Sequence, residues 1–435
     1  MPRMGLGSAH LNPANFSRLI MSLSPDLAAP RPALLAGAVL AICFTLALLA
    51  AGMNLSFSVF LLPLEKELSV DRGAVSSIVA VALLISGLMS PVTGTLMEKL
   101  GPRVLYPAGL ALFACAYALA SKAGSVLMLY ASVGVMGGVS ISCIGPVPAA
   151  VLINRWYHAR VGAAMGVIYS ASGVGTLIVS PVAAMLIALY GWRTTYQIYA
   201  ITLTALIPLL LLMPWRRIRA GHPHYRQFHA PRNDNPATSS TDVWTLKRAL
   251  RTMPFWDMAA AFFFAGAGVM SIMIHSVSFM IETGIEPMHA AAAFGFIGLL
   301  SPFGVIGFGA LGDRIGPRPA VLLSYVLSLS AVGGLFLIKY YPSPFAIPVL
   351  VISVGLSMGA RGPTVSAMAS RIFAGPNFGG IYGAISMCGG LGSAAGTWLG
   401  GFLQDVFHTS DALLIFAAVM IVCSASPFVV ARALR

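Results

Sequence analysis

Twelve continuous apolar runs divide this chain, and each is long enough to cross a membrane. They lie at 33–62, 73–95, 103–122, 125–153, 160–189, 192–214, 255–283, 288–312, 317–340, 344–371, 378–405 and 409–433. A transmembrane helix needs roughly 20 apolar residues. Lipid offers the backbone no hydrogen bonds, so only helices and closed barrels span it, and unbroken hydrophobicity favours helices. The sequence therefore predicts an all-α integral membrane protein with twelve transmembrane helices.

The composition excludes a soluble globular protein. Of the 435 residues, 58% are hydrophobic and 9% are charged, whereas soluble domains carry about 25% charged residues. In a soluble protein the net charge of +13 would suggest a nucleic acid partner. Here the preference of Lys and Arg for cytoplasmic loops explains the excess, so we expect no nucleic acid partner. The expected partners are the lipid bilayer and a small molecule.

A polar segment rich in Pro, His and Arg, at 215–254, separates the first six apolar runs from the last six. We therefore expect a tail at 1–32, a six-helix bundle at 33–214 and a second bundle at 255–435. The segment 215–254 is expected to be a linker with a short surface helix from Val243 to Arg251.

The distribution of basic residues predicts the orientation in the membrane. With the N-terminus inside, twenty Lys and Arg residues fall in cytoplasmic segments and five in outside loops. Such a bias places both termini and the linker in the cytoplasm. The first run is too long for the apolar core of a signal peptide, so it is expected to stay as a helix. The expected location is the plasma membrane, which in a bacterium is the inner membrane.

A short charged motif occurs twice at an offset of 215 residues, as GTLMEKLGPR at 94–103 and GALGDRIGPR at 309–318. Other paired features repeat at an offset of 217: Gly145-Pro146 with Gly362-Pro363, and Gly173-x-Gly175 with Gly390-x-Gly392. Near-constant offsets indicate an internal repeat. Two similar helical bundles facing each other are the architecture of transporters that work by alternating access.

The charged motif resembles the signature of the major facilitator superfamily, which reads roughly G-x-L-x-D-R-x-G-R-R. The second copy fits closely, and the first departs from it at Glu98, Lys99 and Pro102. Segments 57–65, 154–162, 191–193 and 246–256 resemble the monocarboxylate and oxalate/formate branch more narrowly. The resemblance implies the major facilitator fold, two pseudo-symmetric six-helix bundles that move a small solute without a cofactor.

The chain also departs from that branch in its membrane-embedded charges. Members of the branch typically carry a basic residue late in the first helix or in the eleventh, and an Arg, sometimes with an Asp, in the eighth. Here the eighth run is uncharged over 301–309, and the eleventh is uncharged until Asp405. Only the scaffold and the charged motif can therefore be carried over from the resemblance.

The two motif copies are predicted to gate the cytoplasmic side. An acidic side chain at the end of one helix can face the positive N-terminal dipole of a helix in the other bundle and hold the two together. The alternative is that these charges only fix the topology of a turn. The predicted gating residues are Gly94, Glu98, Lys99, Gly101, Arg103, Gly309, Asp313, Arg314, Gly316 and Arg318.

Arg361, near the middle of the tenth run, is the strongest candidate for a substrate-binding residue. A charge at that depth costs roughly 2.5–3.5 kcal/mol on insertion scales, so it is expected to face a cavity or a partner. Its planar guanidinium suits bidentate contact with a carboxylate. The alternatives are that it satisfies backbone carbonyls that the Pro363 kink leaves free, or that it lies nearer the cytoplasmic end of the helix than the middle of the run.

Other candidates are polar side chains inside the runs. His275, in the seventh run, is a candidate for proton coupling because histidine titrates near neutral pH. Asn54 and Ser58, at i and i+4 in the first run, and Tyr169 in the fifth are candidate substrate contacts. The alternative for all four is polar packing between helices.

Stripes of small residues predict close helix packing. They are Gly392-x-x-x-Gly396-x-x-x-Gly400 in the eleventh run and Gly162-x-x-x-Gly166 in the fifth. The resemblance places both helices at the interface between the bundles, where small residues would let them rock.

The leading hypothesis is a secondary active transporter that moves a small organic anion, with a monocarboxylate favoured, by alternating access. The alternatives are an exporter of hydrophobic, drug-like compounds and a sensor derived from a transporter. An enzyme is not expected, because the chain has no H-E-x-x-H motif and no pair of carboxylates in the core of an apolar run. The five cysteines lack metal-site spacing, so we expect no metal and no cofactor. A monomer is the default expectation.

Overall fold

The computed structural model describes residues 32–69, 72–157, 160–221, 244–340, 346–357, 361–407 and 410–430. Within these ranges the chain forms helices and short turns and no strand. Residues 1–31 of the predicted tail and 222–243 of the predicted linker lie outside the described residues.

Six spanning helices form the first half of the protein. Helix α4 runs from Val126 to Trp156 and contains one π-helical stretch, Tyr130–Met136. Helices α5 and α6 share the helical stretch Val161–Leu211, which Gly191 divides at φ 79° and ψ 164°. The helices are α1 Pro32–Leu55, continued after a turn at Ser56 by Phe57–Leu68; α2 Arg72–Lys99; α3 Pro102–Ala120; α4; α5 at 161–190; and α6 at 192–211.

Six further spanning helices form the second half, and two short helices lie between the halves. The short helices are Trp215–Ala220 and Leu246–Ala249, the latter lying within the longer surface helix predicted for 243–251. The spanning helices are α7 Met253–Glu282, α8 Pro287–Ile315, α9 Pro317–Tyr340, α10 in two segments Ala346–Ser357 and Arg361–Ile372, α11 Phe378–Phe407, and α12 Ser410–Val430.

The prediction of twelve transmembrane helices in two bundles is confirmed. By length and composition alone, ten helices among the described residues can cross a membrane. That count treats Val161–Leu211 as one helix and leaves out the glycine-rich α11. Large apolar side chains point away from the protein, as a lipid-facing surface requires; Ile201, Phe303 and Trp398 are 67–69% exposed.

The repeated motif forms the same tight turn in both halves. Gly101 at φ 79° separates α2 from α3, and Gly316 at φ 94° separates α8 from α9. Glycine adopts this left-handed region without the steric cost of a Cβ, and the following proline suits the first position of the next helix. We call the end of the molecule that carries these two turns the motif face.

Polar contacts at the opposite end tie helices together within each half. In the first half, Glu67 in the last turn of α1 accepts hydrogen bonds from Trp192 Nε1 and from Arg193 Nε at 3.0 Å and Nη2 at 2.9 Å. The Trp192 and Arg193 donors lower the pKa of Glu67. In the second half, Asp411 of α12 pairs with Lys339 Nζ of α9 at 2.7 Å. Each of these contacts joins helices of the same half.

Candidate functional site

The two halves meet through pairs of glycine-rich helices. Helix α2 contacts α11, and α5 contacts α8 and α10. A Cβ built on Gly94 would lie 2.0 Å from the Gly379 carbonyl oxygen, and one built on Gly309 would lie 2.3 Å from the Gly162 carbonyl oxygen. No side chain fits at such distances, so glycine is required for this backbone approach.

The second motif copy places a carboxylate on a helix of the other half. Asp313 Oδ1 accepts a hydrogen bond from the Gly162 amide at 3.0 Å, and Oδ2 accepts one from the Ala163 amide at 2.7 Å. Gly162 and Ala163 lie in the first turn of α5, where amide groups have no partner within the helix. The negative charge also faces the positive end of the helix dipole.

The first motif copy makes the pseudo-symmetric contact. Glu98 Oε1 accepts a hydrogen bond from the Gly379 amide at 2.7 Å, in the first turn of α11. Asp313 thus receives two amide hydrogen bonds and Glu98 receives one. In both contacts an acidic side chain of one half faces the N-terminal end of a helix of the other half, which is the geometry predicted for a gate. We call these two contacts the carboxylate latches.

The basic residues of the motifs do not complete the latches in this conformation. Lys99, Arg103 and Arg314 are exposed, and their side chains form no ion pair within the described part of the chain. Arg318 instead stays within its own half, donating from Nε to the Phe428 carbonyl at 2.7 Å near the end of α12. A cation there stabilises the negative end of that helix.

Arg219, which was not among the predicted residues, stabilises a helix end of the first half in a similar way. Arg219, in the short helix after α6, donates from Nη2 to the carbonyls of Glu98 at 3.3 Å and Lys99 at 3.2 Å. It therefore supports the end of α2 that carries the latch carboxylate. The density of Arg in 216–219 was the available signal, but it does not indicate which helix end each residue reaches.

A third contact between the halves joins two tyrosines. The hydroxyl groups of Tyr169 in α5 and Tyr382 in α11 are 2.7 Å apart, and Tyr382 is fully buried. A Cβ built on Gly362 would lie 2.8 Å from the Tyr169 ring, so that ring also packs against α10. Tyr169, predicted as a substrate contact, is therefore placed at the interface between the halves. Tyr382 carried no sequence signal that distinguishes it from other aromatic residues in apolar runs.

Arg361 opens the second segment of α10 and is 6% exposed. Its Nη2 donates to Ser328 Oγ of α9, and its guanidinium carbon lies 4.5 Å from the centre of the Tyr325 ring. The Tyr325 hydroxyl is 2.6 Å from Ser424 Oγ of α12, which in turn donates to the Ala261 carbonyl of α7 at 2.6 Å. In this conformation the guanidinium therefore faces the interior of the second half.

The Arg361 guanidinium is not fully satisfied in this position. Its Nε has no hydrogen-bond partner among the described residues. A cavity of about 20 Å³ lies beside Ser328, Ala331 and Ser357 and has room for about one water molecule. Most buried polar groups in proteins are paired, so the Arg361 Nε is a donor whose hydrogen bond is still unmade in this conformation.

The remaining predicted contacts lie in different environments. Asn54 is buried, whereas Ser58 is exposed and donates to the Leu55 carbonyl at 3.2 Å. Ser56, at φ −65° and ψ −10°, interrupts α1 between them, and the two side chains differ in exposure. His275 lies in α7, and its side chain is outside the described part of the chain.

The two small-residue stripes pack differently from each other. Gly162 and Gly166 lie against α8 of the other half, as expected. Gly392 and Gly396 instead lie against Phe263 and Ala267 of α7, within their own half, so this expectation was wrong. The reason is that α11 presents different faces to α2 and α7, and its contacts with α2 begin at Gly379.

Comparison with known families and sequences places these features in context. The profile of the Major Facilitator Superfamily matches residues 40–360 and 308–434. Monocarboxylate transporter 13 of Bos taurus is 26% identical over 373 residues, which cover 85% of this chain and 83% of the relative. The Bacillus subtilis MFS-type transporter YcxA is 24% identical over 382 residues, covering 86% and 89% of the two chains.

Solved structures show the same fold at low identity. The proton:xylose symporter XylE bound to 6-bromo-6-deoxy-D-glucose is similar with a TM-score of 0.72 and 14% identity, over 91% of this chain and 95% of the other. The human organic anion transporter MFSD10 is similar with a TM-score of 0.65 and 17% identity, over 92% and 99%.

Proposed function

This chain belongs to the Major Facilitator Superfamily, and we propose that it moves a small organic anion across the membrane by alternating access. Family and fold make it an integral membrane transporter of a small-molecule substrate rather than an enzyme. The observation that carries the proposal is the pair of carboxylate latches, in which each half caps a helix of the other.

In the proposed mechanism the latches define one of two states. Hydrogen bonds of Asp313, Glu98 and the tyrosine pair cross between the halves, and they lie toward the motif face. This conformation is therefore the one closed at the motif face. Opening that face breaks these bonds while the contacts within each half persist, so the halves tilt as bodies.

The free energies of the latch hydrogen bonds suit an equilibrium between two conformations of the protein. A hydrogen bond to a charged group contributes about 1.5–3 kcal/mol, so the latches bias the equilibrium without making it irreversible. A substrate shifts such an equilibrium only by its difference in affinity for the two states.

We propose a monocarboxylate as the substrate class. Relatives bearing the name monocarboxylate transporter support this, as does a buried Arg361 that has no carboxylate partner among the described residues. Arg361 precedes Gly362, which contacts Tyr169 of the other half. A substrate carboxylate would replace the Ser328 hydroxyl and satisfy the unpaired Nε, a bidentate geometry typical of arginine.

We propose that the motif face is cytoplasmic, in the plasma membrane, with both termini on that side. The preference of Lys and Arg for cytoplasmic segments supports this orientation. We further propose that the protein acts as a monomer, since each half caps the other within one chain.

We propose His275 as the group that couples transport to protons, because histidine changes charge near neutral pH. The test is the pH dependence of uptake. His275→Gln should flatten the dependence between pH 6 and 8, and an unchanged profile would exclude this role.

The substrate class is tested by a thermal-shift screen of the purified protein against mono- and dicarboxylates at two pH values. Stabilisation by a monocarboxylate that is lost in Arg361→Ala, followed by uptake of the same compound into proteoliposomes, supports the proposal. Stabilisation by cations or neutral hydrophobic compounds alone contradicts it and favours the exporter.

A further inference from the structure

A second cavity lies between the halves at the motif face, and we call it the motif-face cavity. Its volume is about 190 Å³, room for a small polyatomic ion together with water. Its walls come from the ends of α2, α4 and α10 and from the starts of α5 and α11. The two halves therefore each contribute part of the wall.

The lining is polar and carries two arginines. Arg155 comes from the first half and Arg371 from the second. Arg371 is exposed and pairs with no described residue, while Arg155 makes one hydrogen bond, from Nη1 to the Arg219 carbonyl at 3.3 Å. The Glu98 carboxylate also lines the cavity, but one of its oxygens is held by the Gly379 amide. The cations outnumber the carboxylate, so the cavity favours an anion.

Asn154 provides an independent indication that a ligand belongs here. Both polar atoms of its side chain, Oδ1 and Nδ2, are buried and have no hydrogen-bond partner among the described residues. Asn154 lines the same cavity as the two arginines. A buried amide without partners costs free energy, and native proteins rarely leave one unpaired. Neither atom has accessible surface as the side chain stands, so a rotation of the Asn154 side chain would have to turn one of them toward a polar molecule in the cavity to relieve that cost.

We propose that the motif-face cavity binds a small oxyanion of the phosphate type, and that its occupant holds the motif face closed. Arg155 and Arg371 would bind its negative oxygens, and Asn154 Nδ2 would donate a further hydrogen bond. Because the two arginines belong to different halves, the ion would bridge the halves beside the Glu98 latch. Opening of the motif face separates the arginines and destroys the site. Free oxyanion on that side would thus slow transport without being transported.

The same chemistry could come from inorganic phosphate or from a lipid headgroup, and the test separates these sources. The thermal stability of the full-length protein in detergent is measured against inorganic phosphate, with sodium chloride at matched ionic strength as the reference. We expect a saturable rise in Tm, since a ligand that binds only the folded state stabilises it. Arg371→Gln should need about tenfold more phosphate for half of that rise.

Two further variants make the result specific. Arg251→Gln changes another exposed arginine, outside the cavity, and should titrate like the unaltered protein. Asn154→Ala should weaken phosphate binding as Arg371→Gln does. Absence of a saturable rise, or an unchanged titration in both Arg371→Gln and Asn154→Ala, would overturn the proposal. The measurement needs no transport, so its result does not depend on whether the proposed substrate is correct.

Closure is tested by disulfide formation between Thr95→Cys and Gly380→Cys, whose Cβ atoms would lie 3.9 Å apart across the interface. Phosphate should accelerate this crosslink, and no acceleration would refute the bridging role. In vesicles of phosphatidylcholine the phosphate effect should persist. Phosphatidylglycerol is then added to the vesicles. If the lipid accelerates the crosslink by itself and phosphate has no further effect, the ligand is the lipid headgroup. If phosphate still accelerates the crosslink as before, the ligand is the free ion.

Discussion

Asp313 and Ala163 belong to different halves of the chain, yet an Asp313 carboxylate oxygen accepts a 2.7 Å hydrogen bond from the Ala163 amide. The second oxygen accepts a hydrogen bond from the Gly162 amide, so one side chain caps two amide groups in the first turn of α5. Glu98 repeats the arrangement on α11 with a single bond. A rigid helix end is thereby held by a charge from the opposing bundle, which is how a local bond can control a global tilt.

Asp313→Asn should favour the state that is open at the motif face. The amide has no negative charge for the α5 dipole and only one oxygen to accept hydrogen bonds. Loss of a charged hydrogen bond, about 1.5–3 kcal/mol, corresponds to a shift of the equilibrium by tenfold or more. Spin-label distances across the motif face should lengthen and uptake should fall. Glu98→Gln removes one bond rather than two, so its effect should be smaller; unchanged distances and uptake in Asp313→Asn would contradict the latch.

Gly309→Ala should prevent closure of the motif face, because its Cβ would lie 2.3 Å from the Gly162 carbonyl oxygen. Gly307→Ala is the matched control on the same helix, since a Cβ there meets nothing within 4 Å. Both changes raise helix propensity equally, so only the contact differs. Uptake should be lost in Gly309→Ala and retained in Gly307→Ala. Equal activity of the two variants would show that the close approach is dispensable.

The hydroxyl groups of Tyr169 and Tyr382 should contribute jointly to closure. Removal of either in Tyr169→Phe or Tyr382→Phe should shift the equilibrium toward the open motif face by threefold to tenfold, as expected for about 0.5–1.5 kcal/mol. The double variant should add little to either single change, because both remove the same bond. Additive shifts would show that the two groups act independently.

Arg361→Ala should raise the KM for the transported monocarboxylate by tenfold or more, and Arg361→Lys should raise it less. Lysine keeps the charge but not the two parallel donors. Ser328→Ala removes the hydroxyl that holds Arg361 and leaves the charge, so its effect should be small. The check is uptake kinetics in proteoliposomes. A normal KM in Arg361→Ala would assign Arg361 to packing against Tyr325.

The membrane architecture could be predicted from the sequence, because the length and continuity of apolar runs follow directly from the thickness of the bilayer. The turns at Gly101 and Gly316 were also predictable, since the repeated Gly-Pro pair indicates a helix end followed by a helix start. From the helix dipole we could predict that Asp313 and Glu98 face the start of a helix in the other half, but not that these helices are α5 and α11.

The rotation of individual helices could not be predicted. The first segment of α10, before Arg361, has no distinct polar face, so the sequence does not indicate that the guanidinium turns toward Tyr325. Asn54 is likewise buried and Ser58 exposed, a difference that their i, i+4 spacing does not predict. The Tyr169–Tyr382 contact joins residues 213 positions apart, and only the packing of the two halves brings them together.

A reversible crosslink between the halves tests alternating access most directly. With the five native cysteines replaced, Thr95→Cys and Gly380→Cys would place their Cβ atoms 3.9 Å apart, within the range of an unstrained disulfide. Oxidation should abolish uptake of the monocarboxylate that the thermal-shift screen selects, reduction should restore it, and neither single variant should respond. If the completely crosslinked protein takes up the substrate as fast as the protein with its disulfide reduced, the account is contradicted, because the substrate would then cross without any opening of the motif face.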